Sequence, residues 1–236
     1  MYGYSQSASN YVFSASTGTF TQVTDASATR LSAVEADGGL SAAQNIGFTF
    51  TYEGVNYTQF RMSSNGFISL NPTGTSTLTT NDLSTANASS RPIIAPLWDD
   101  LDGRATGGVS RALYEVTGTA PNRVLTVEWR NWEWNYTSST PVISFQVKLY
   151  ETTNIIEFHY RSETGSVSSG SATIGIGSAT GTAYLNLTSV TTPAVSSTTS
   201  TTNINTKPST GTIYTFSPPP ICTGAPVAGN PQQLLY

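Results

Sequence analysis

The chain has 236 residues, of which 14 are acidic and 10 are basic, and its net charge is −4. Charged residues make up 10% of the chain, against about 25% in a typical soluble domain. This composition disfavours coiled coils and charged disordered tails. It also disfavours nucleic-acid binding, which depends on clustered lysine and arginine.

The predicted strands follow from alternation of apolar and polar residues, and the 31 Ser and 38 Thr residues favour strands and turns. In chain order they cover residues 11–14, 19–23, 46–52, 57–62, 67–70, 93–97, 112–116, 123–129, 143–150, 155–160, 172–176, 183–187 and 212–216. Turn residues at Glu53-Gly54, at Ser64-Asn65-Gly66 and at 151–154 predict hairpins between neighbouring strands, and a helical turn is predicted near residues 81–88. About a dozen strands would leave one face of a single sheet unburied. The sequence therefore predicts an all-β fold, a two-sheet antiparallel β-sandwich.

The C-terminal quarter of the chain has a different composition. Residues 188–211 are mostly Thr and Ser, which is typical of a linker, so an ordered tract there needs support from the domain, a following domain or a neighbouring subunit. Three prolines at 218–220 predict a stiff spacer. We expect a sandwich over residues 1–216, a spacer over 217–221 and the start of another module over 222–236. Cys222, the single cysteine, would pair beyond this chain or remain a free thiol.

Catalytic patterns are scarce. The single histidine, His159, lies on the polar face of a predicted strand, where we expect it to face solvent, and no Gly-x-Ser-x-Gly motif of a serine hydrolase is nearby. Two carboxylates suffice for glycoside hydrolysis, and Glu128 and Glu133 lie in a segment with three tryptophans. Ring packing, ligand binding and catalysis all remain open for this segment, and we predict that the chain is not an enzyme.

Exposed aromatic side chains are the residues expected to bind a ligand. The alternation of strand residues places Trp129 in the core. Trp132, Trp134 and Tyr136 follow at the end of the strand, so we predict that these three are the ligand-binding residues.

The densest acidic cluster is formed by Asp99, Asp100 and Asp102, directly after an apolar strand. Three neighbouring carboxylates repel one another unless a cation or an arginine neutralises them. One interpretation is a calcium site, although the spacing is not that of an EF-hand loop. The other is a network with Arg104 or Arg91, in which case no cofactor is needed.

The order of several motifs resembles the N-terminal domain of large Bacteroidota cell-surface proteins that are exported by type IX secretion. The motifs are the segments 11–20, 46–54, 63–67, 94–101, 120–129 and 150–158. The segment Ala95-Pro-Leu-Trp-Asp-Asp100 is also similar to nidogen-type extracellular domains. The resemblance implies a β-sandwich at the cell surface, with residues 222–236 beginning an immunoglobulin-like repeat. It implies no catalytic residues.

The leading hypothesis is a non-enzymatic extracellular surface module for adhesion, ligand binding or display within a larger repeat protein. Its partners would be other extracellular proteins or glycans, and it would neither bind nucleic acid nor span a membrane. The alternative is a structural subunit of an extracellular filament or surface assembly, in which the C-terminal tail adds a strand to a neighbour. A carbohydrate-active enzyme that uses Glu128 and Glu133 is the third hypothesis.

Overall fold

The computed structural model describes residues 6–75, 79–85, 88–179 and 182–220. Fourteen strands are present there: β1 (Val12–Thr17), β2 (Thr29–Arg30), β3 (Gln44–Tyr52), β4 (Val55–Ser63), β5 (Phe67–Ser69), β6 (Ile93–Trp98), β7 (Arg111–Thr117), β8 (Val124–Trp132), β9 (Ile143–Tyr150), β10 (Ile156–Ser162), β11 (Thr173–Gly177), β12 (Tyr184–Ser189), β13 (Ala194–Ser196) and β14 (Thr212–Ser217). Three 3₁₀ turns, Ala8–Asn10, Ser32–Val34 and Ala88–Ser90, complete the regular structure of this part of the chain.

The strands form two antiparallel sheets of seven. The first sheet has the order β1-β14-β10-β9-β8-β7-β2, and the second has the order β13-β12-β11-β6-β5-β4-β3. The predicted all-β sandwich is confirmed. The hairpins predicted at Glu53-Gly54, at Ser64-Asn65-Gly66 and at residues 151–154 join β3 to β4, β4 to β5 and β9 to β10.

Aromatic side chains of the first sheet tie the two sheets together. The indole N–H of Trp129 on β8 donates to the carbonyl of Ser63 at 2.8 Å, and Trp132 donates to Ser64 at the same distance. The Tyr160 hydroxyl on β10 donates to the carbonyl of Pro96 on β6 at 2.6 Å. Because all three rings are buried, each polar tip needs a partner, and these bonds fix how the two sheets face each other.

The segment predicted as a strand at 19–23 is not a strand, and that prediction is wrong. The segment lies over the outer face of the first sheet instead, where side chains bind its backbone. Gln146 donates to the carbonyl of Thr21 at 2.8 Å, and Glu128 accepts the N–H of Val23 at 2.9 Å. This cover explains why the polar face of β9 is buried at Ser144 and Gln146.

The hydroxyl-rich tract 188–211 is held by its own domain. It contributes β13, which pairs with β12, and Ile204 exchanges two backbone hydrogen bonds with Ala172. The Lys207 ammonium donates to the carbonyls of Glu163 at 2.9 Å and Gly165 at 2.6 Å. Of the three supports considered from sequence, the domain surface is the one that the structure shows.

The end of the chain is described only to Pro220. β14 ends at Ser217, and residues 218–220 have no regular structure. The spacer and the module boundary at 222 stay predictions. Cys222, with its predicted disulfide beyond this chain, and the strand-adding tail lie outside the described residues.

Candidate functional site

The acidic motif 98–103 and the tryptophan-rich motif 132–136 meet at one end of the sandwich. β6 of the second sheet ends at Trp98 and β8 of the first sheet ends at Trp132. The following loops form an antiparallel bridge in which the Glu133 N–H donates to the carbonyl of Asp102 at 3.0 Å. The two sites considered separately in the sequence are therefore one region.

Trp132 and Trp134 are buried, with no exposed surface, so the expectation that they are accessible to a ligand is wrong. The Trp132 ring packs beneath Gly103, where a Cβ atom would lie 2.6 Å from the ring. The Trp134 indole N–H donates to Asp99 at 2.8 Å. Alternation failed as a guide because β8 is irregular between Trp129 and Trp132. Tyr136 is 51% exposed, and its ligand-binding role stays a prediction.

The three aspartates of the acidic cluster have separate roles. Asp99 accepts hydrogen bonds from Trp134 and from the N–H and hydroxyl of Ser171. Asp102 accepts two bonds from Nε of Arg104, each 2.9 Å long. Burial raises the pKa of Asp100, and the nearby charge of Asp37 adds to this effect.

Within the described ranges, no group of three or more acidic, histidine or cysteine side chains is arranged to hold a metal ion. Asp102 has the arginine partner that the network interpretation expected, Arg104, whereas Asp99 and Asp100 have no arginine at ion-pair distance among the described residues. The calcium site stays a prediction. Arg91 bonds elsewhere, to the carbonyl of Ser178 at 2.8 Å.

The two glutamates considered for glycoside hydrolysis do not share a cleft. Glu128 is completely buried on the outer face of β8, where Val23, Arg130 and Gln146 all donate to it. Glu133 is also buried, and its Oε1 atom has no hydrogen-bond partner among the described residues. Desolvation, followed by the charge of Asp102, raises the pKa of Glu133 to about 7.

His159, expected to face solvent, is buried beside Glu157, with 2.8 Å between Nε2 and the carboxylate. The contact is a side-chain hydrogen bond between two residues of one regular strand, β10. The expectation of a solvated histidine is therefore wrong.

A pocket of about 330 Å³ opens beside the acidic cluster. Three of the eight arginines in the sequence, Arg30, Arg104 and Arg111, line it, and the loop from Gly103 to Gly108 forms one wall. We call this the arginine pocket. A chain with a net charge of −4 has thus gathered a large share of its positive groups around one small cavity.

Neighbouring carboxylates hold the guanidiniums of Arg30 and Arg104 in place but leave some of their N–H groups without a partner among the described residues. Glu35 accepts Nε of Arg30 at 2.8 Å, and Asp102 holds Arg104 as described above. Each of these arginines is more than half exposed and keeps an Nη1 group with no bond among the described residues. Arg111 bonds only the carbonyls of Gly108 and Ser110, each at 2.7 Å, and has no carboxylate at ion-pair distance within the described part.

Sequence reasoning considered Arg104 only as a neutralising partner and missed Arg30 and Arg111. The three positions lie in different segments of the chain and form no motif. The one signal in the sequence that could have pointed to Arg30 and Arg111 is that the chain has so few basic residues. In such a chain, the surroundings of each arginine deserve attention.

A family model described as NIDO related matches residues 10–218 of the chain. No curated protein and no solved structure gives a significant match. Over the part of the chain that the structure describes, no helix is both long enough and apolar enough to cross a membrane.

Proposed function

The chain belongs to the family of nidogen-related domains, and from this premise we propose that it is a non-enzymatic extracellular module that binds an acidic glycan in the arginine pocket. Family membership supports an extracellular location. Three finer points are part of the same proposal and rest on the order of the sequence motifs. They are display at the cell surface as part of a larger protein, adhesion, and export by the type IX route in Bacteroidota.

One observation carries the choice of ligand: three guanidiniums converge on one pocket. Arginine presents a planar fork of donors that matches the oxygens of a carboxylate or sulfate. Glu35 and Asp102 bind the Nε and Nη2 sides of Arg30 and Arg104 and so hold these guanidiniums in place. Less side-chain entropy is therefore lost when their Nη1 groups donate to a ligand. The volume of about 330 Å³ is near the lower limit for ligand pockets and suits a single acidic sugar unit.

The absence of enzymatic activity remains a proposal, and the geometry of the acids supports it. A glycosidase needs two carboxylates on either side of a scissile bond in an open cleft. Glu128 is enclosed beneath the segment that contains Val23, whereas Glu133 lies beyond the end of β8. A hydrolysis assay on acidic polysaccharides with wild-type protein and Glu133→Gln would test this point, and turnover that the substitution abolishes would contradict it.

Binding to an array of uronic-acid-containing and sulfated oligosaccharides tests the ligand. We expect the wild type to bind members of this group and Arg111→Gln to weaken binding about tenfold or more, because a charge-assisted hydrogen bond contributes about 1.5–3 kcal/mol. Arg123→Gln is the matched control, since Arg123 pairs with Glu151 away from the pocket. Equal loss in both variants, or binding to acidic peptides alone, would reject an acidic glycan as the ligand.

A further inference from the structure

The two sheets have four edges, and three of them carry features that oppose pairing with another strand. β2 has two residues, and its Arg30 is held by Glu35. β13 has three residues, and its register with β12 shifts. β3 is interrupted by a register shift between Asn45 and Phe50. Short, charged or bulged edges are the usual protection of a sheet against further strands.

The fourth edge, β1, has none of these features. Its sequence, Val12-Phe-Ser-Ala-Ser-Thr17, contains no charged residue and no proline. All six residues pair with β14 in continuous register, from Val12 opposite Ser217 to Thr17 opposite Thr212. On its other side β1 has no neighbouring strand among the described residues. Its outward N–H and carbonyl groups are therefore a regular template for another strand.

The faces of β1 are also left uncovered. Val12 is 57% exposed, and five of the six residues are exposed. Phe13 packs against Tyr214 and Phe216, so it lies on the core side of the sheet. Ala15 alternates onto the same side as Phe13, yet it is exposed, which shows that the second sheet does not extend over this edge.

We propose that β1 pairs with β1 of a second copy of this chain, in antiparallel orientation, to form a two-fold dimer. An uncharged strand can lie opposite itself without bringing like charges together, and a two-fold axis makes the same surface serve both partners. Among the sheet edges formed by the described residues, β1 is the one without such protection, so we expect association to stop at two copies. The two seven-stranded sheets then form one continuous sheet across the axis.

The dimer is independent of the arginine pocket. Arg30 and Arg111 lie on β2 and β7, at the far side of the first sheet from β1, and Arg104 lies in the loop before β7. One strand pair buries less surface than a standard stable interface of about 1,600 Å². We therefore expect dissociation in the micromolar range.

Sedimentation velocity of the full chain between about 1 and 100 µM tests the proposal. The mass should rise with concentration from 25.0 kDa to twice that value and no further. Ser14→Lys combined with Ser16→Lys should remain monomeric, because both side chains are exposed on the edge strand. The matched control, Thr58→Lys with Thr117→Lys, adds the same charge at exposed positions of β4 and β7, which are not edge strands, and should dimerise like the wild type.

Hydrogen exchange gives a second measurement, in which amides of β1 should become protected at the higher concentration. A wild type that stays at 25.0 kDa, growth beyond a dimer, or a dimer that survives the paired lysine substitutions would each overturn the proposal. If deletion of residues 221–236 abolished the dimer and the Ser14→Lys, Ser16→Lys variant kept it, dimerisation would depend on the C-terminal tail and not on pairing of β1 with β1. Equal thermal midpoints of the two lysine variants would show that both are folded.

Discussion

β8 and the residues directly after it carry two networks of carboxylates and arginine that differ in how completely they are closed. In the middle of the strand, Glu128 has no exposed surface and Arg130 bonds Glu128 through Nε at 2.7 Å. Beyond the end of the strand, Glu133 lies next to the pair formed by Asp102 and Arg104, and that arginine is 57% exposed.

The closed network fastens a segment without strand structure to the sheet. Val23 donates its N–H to Glu128 and accepts from Arg130, and Asp25 also binds the guanidinium. Each of the three guanidinium nitrogens of Arg130 has a protein acceptor there. The open network has a buried oxygen of Glu133 without a partner and guanidinium groups that face a cavity. The same residue types thus stabilise the fold in one place and offer a binding surface in the other, according to how fully their hydrogen bonds are used.

Breaking the closed network should have the largest effect on stability. Glu128→Ala leaves Arg130 buried with only a largely exposed aspartate as its acidic partner. Removing one partner of a buried ion pair costs about 3–5 kcal/mol, and we expect a loss of this size in the free energy of unfolding measured by chemical denaturation.

Glu128→Gln is the matched control, because an amide keeps one acceptor for the Val23 N–H and should lose less stability than the alanine variant. Increased exchange of the Val23 amide in Glu128→Ala would show that the covering segment has detached. If Glu128→Ala were as stable as the wild type, the buried network would not stabilise the fold, and the proposed difference between the two networks would be wrong.

Titration of Glu133 should have an intermediate effect, and it has a defined sign. Its pKa of about 7 in the folded protein lies above its usual 4.5, so the folded form holds a proton that the unfolded chain releases between these values. Stability therefore falls as pH rises from 4.5 to 7. Removing this penalty with Glu133→Gln should flatten that decline, by about 2–3 kcal/mol across the window.

Denaturation midpoints of Glu133→Gln and wild type, measured from pH 4 to 8, check this prediction. Glu115→Gln on the neighbouring strand β7 is a suitable control, because its side chain is partly exposed. Parallel curves for Glu133→Gln and the wild type would show that the buried oxygen does not bind a proton as we expect.

Opening the Asp102–Arg104 pair should have the smallest effect on stability. Arg104 is largely exposed, although its partner Asp102 is buried. A pair with one exposed member contributes less than a fully buried one, so Arg104→Gln should lower the denaturation midpoint less than Glu128→Ala does. The same variant should weaken binding of an acidic oligosaccharide, which calorimetry can measure. If Arg104→Gln lost stability but bound the acidic oligosaccharide as the wild type does, the Asp102–Arg104 pair would serve the fold and not ligand recognition.

Regular strands were predictable because their pattern is local. The alternation of Ile143, Phe145, Val147 and Leu149 predicts β9, and the structure has the strand over the same residues. The segment at 19–23 contains apolar residues with similar spacing, but side chains from β8 and β9 bind its backbone in place of a neighbouring strand. Those partners are more than 100 residues away in the chain, and no local pattern indicates them.

The candidate site was predictable only in part. Sequence indicated the clustered acids and the tryptophans because each group is contiguous, and it named Arg104 as a neutralising partner. The burial of Trp132 and Trp134 depends on the irregular end of β8 and on how the loop with Gly103 packs against it. Arg30 and Arg111 enter the pocket through the pairing of β2 with β7.

By itself, the sequence determined the all-β class, most of the strands and their hairpins, because alternation and turn residues act over a few neighbouring positions. The tertiary structure decided which charged groups are enclosed, which ones line a pocket and which sheet edge stays open. Those outcomes depend on contacts between distant segments, where burial and the number of available hydrogen-bond partners determine whether a charge stabilises the fold or remains free to bind.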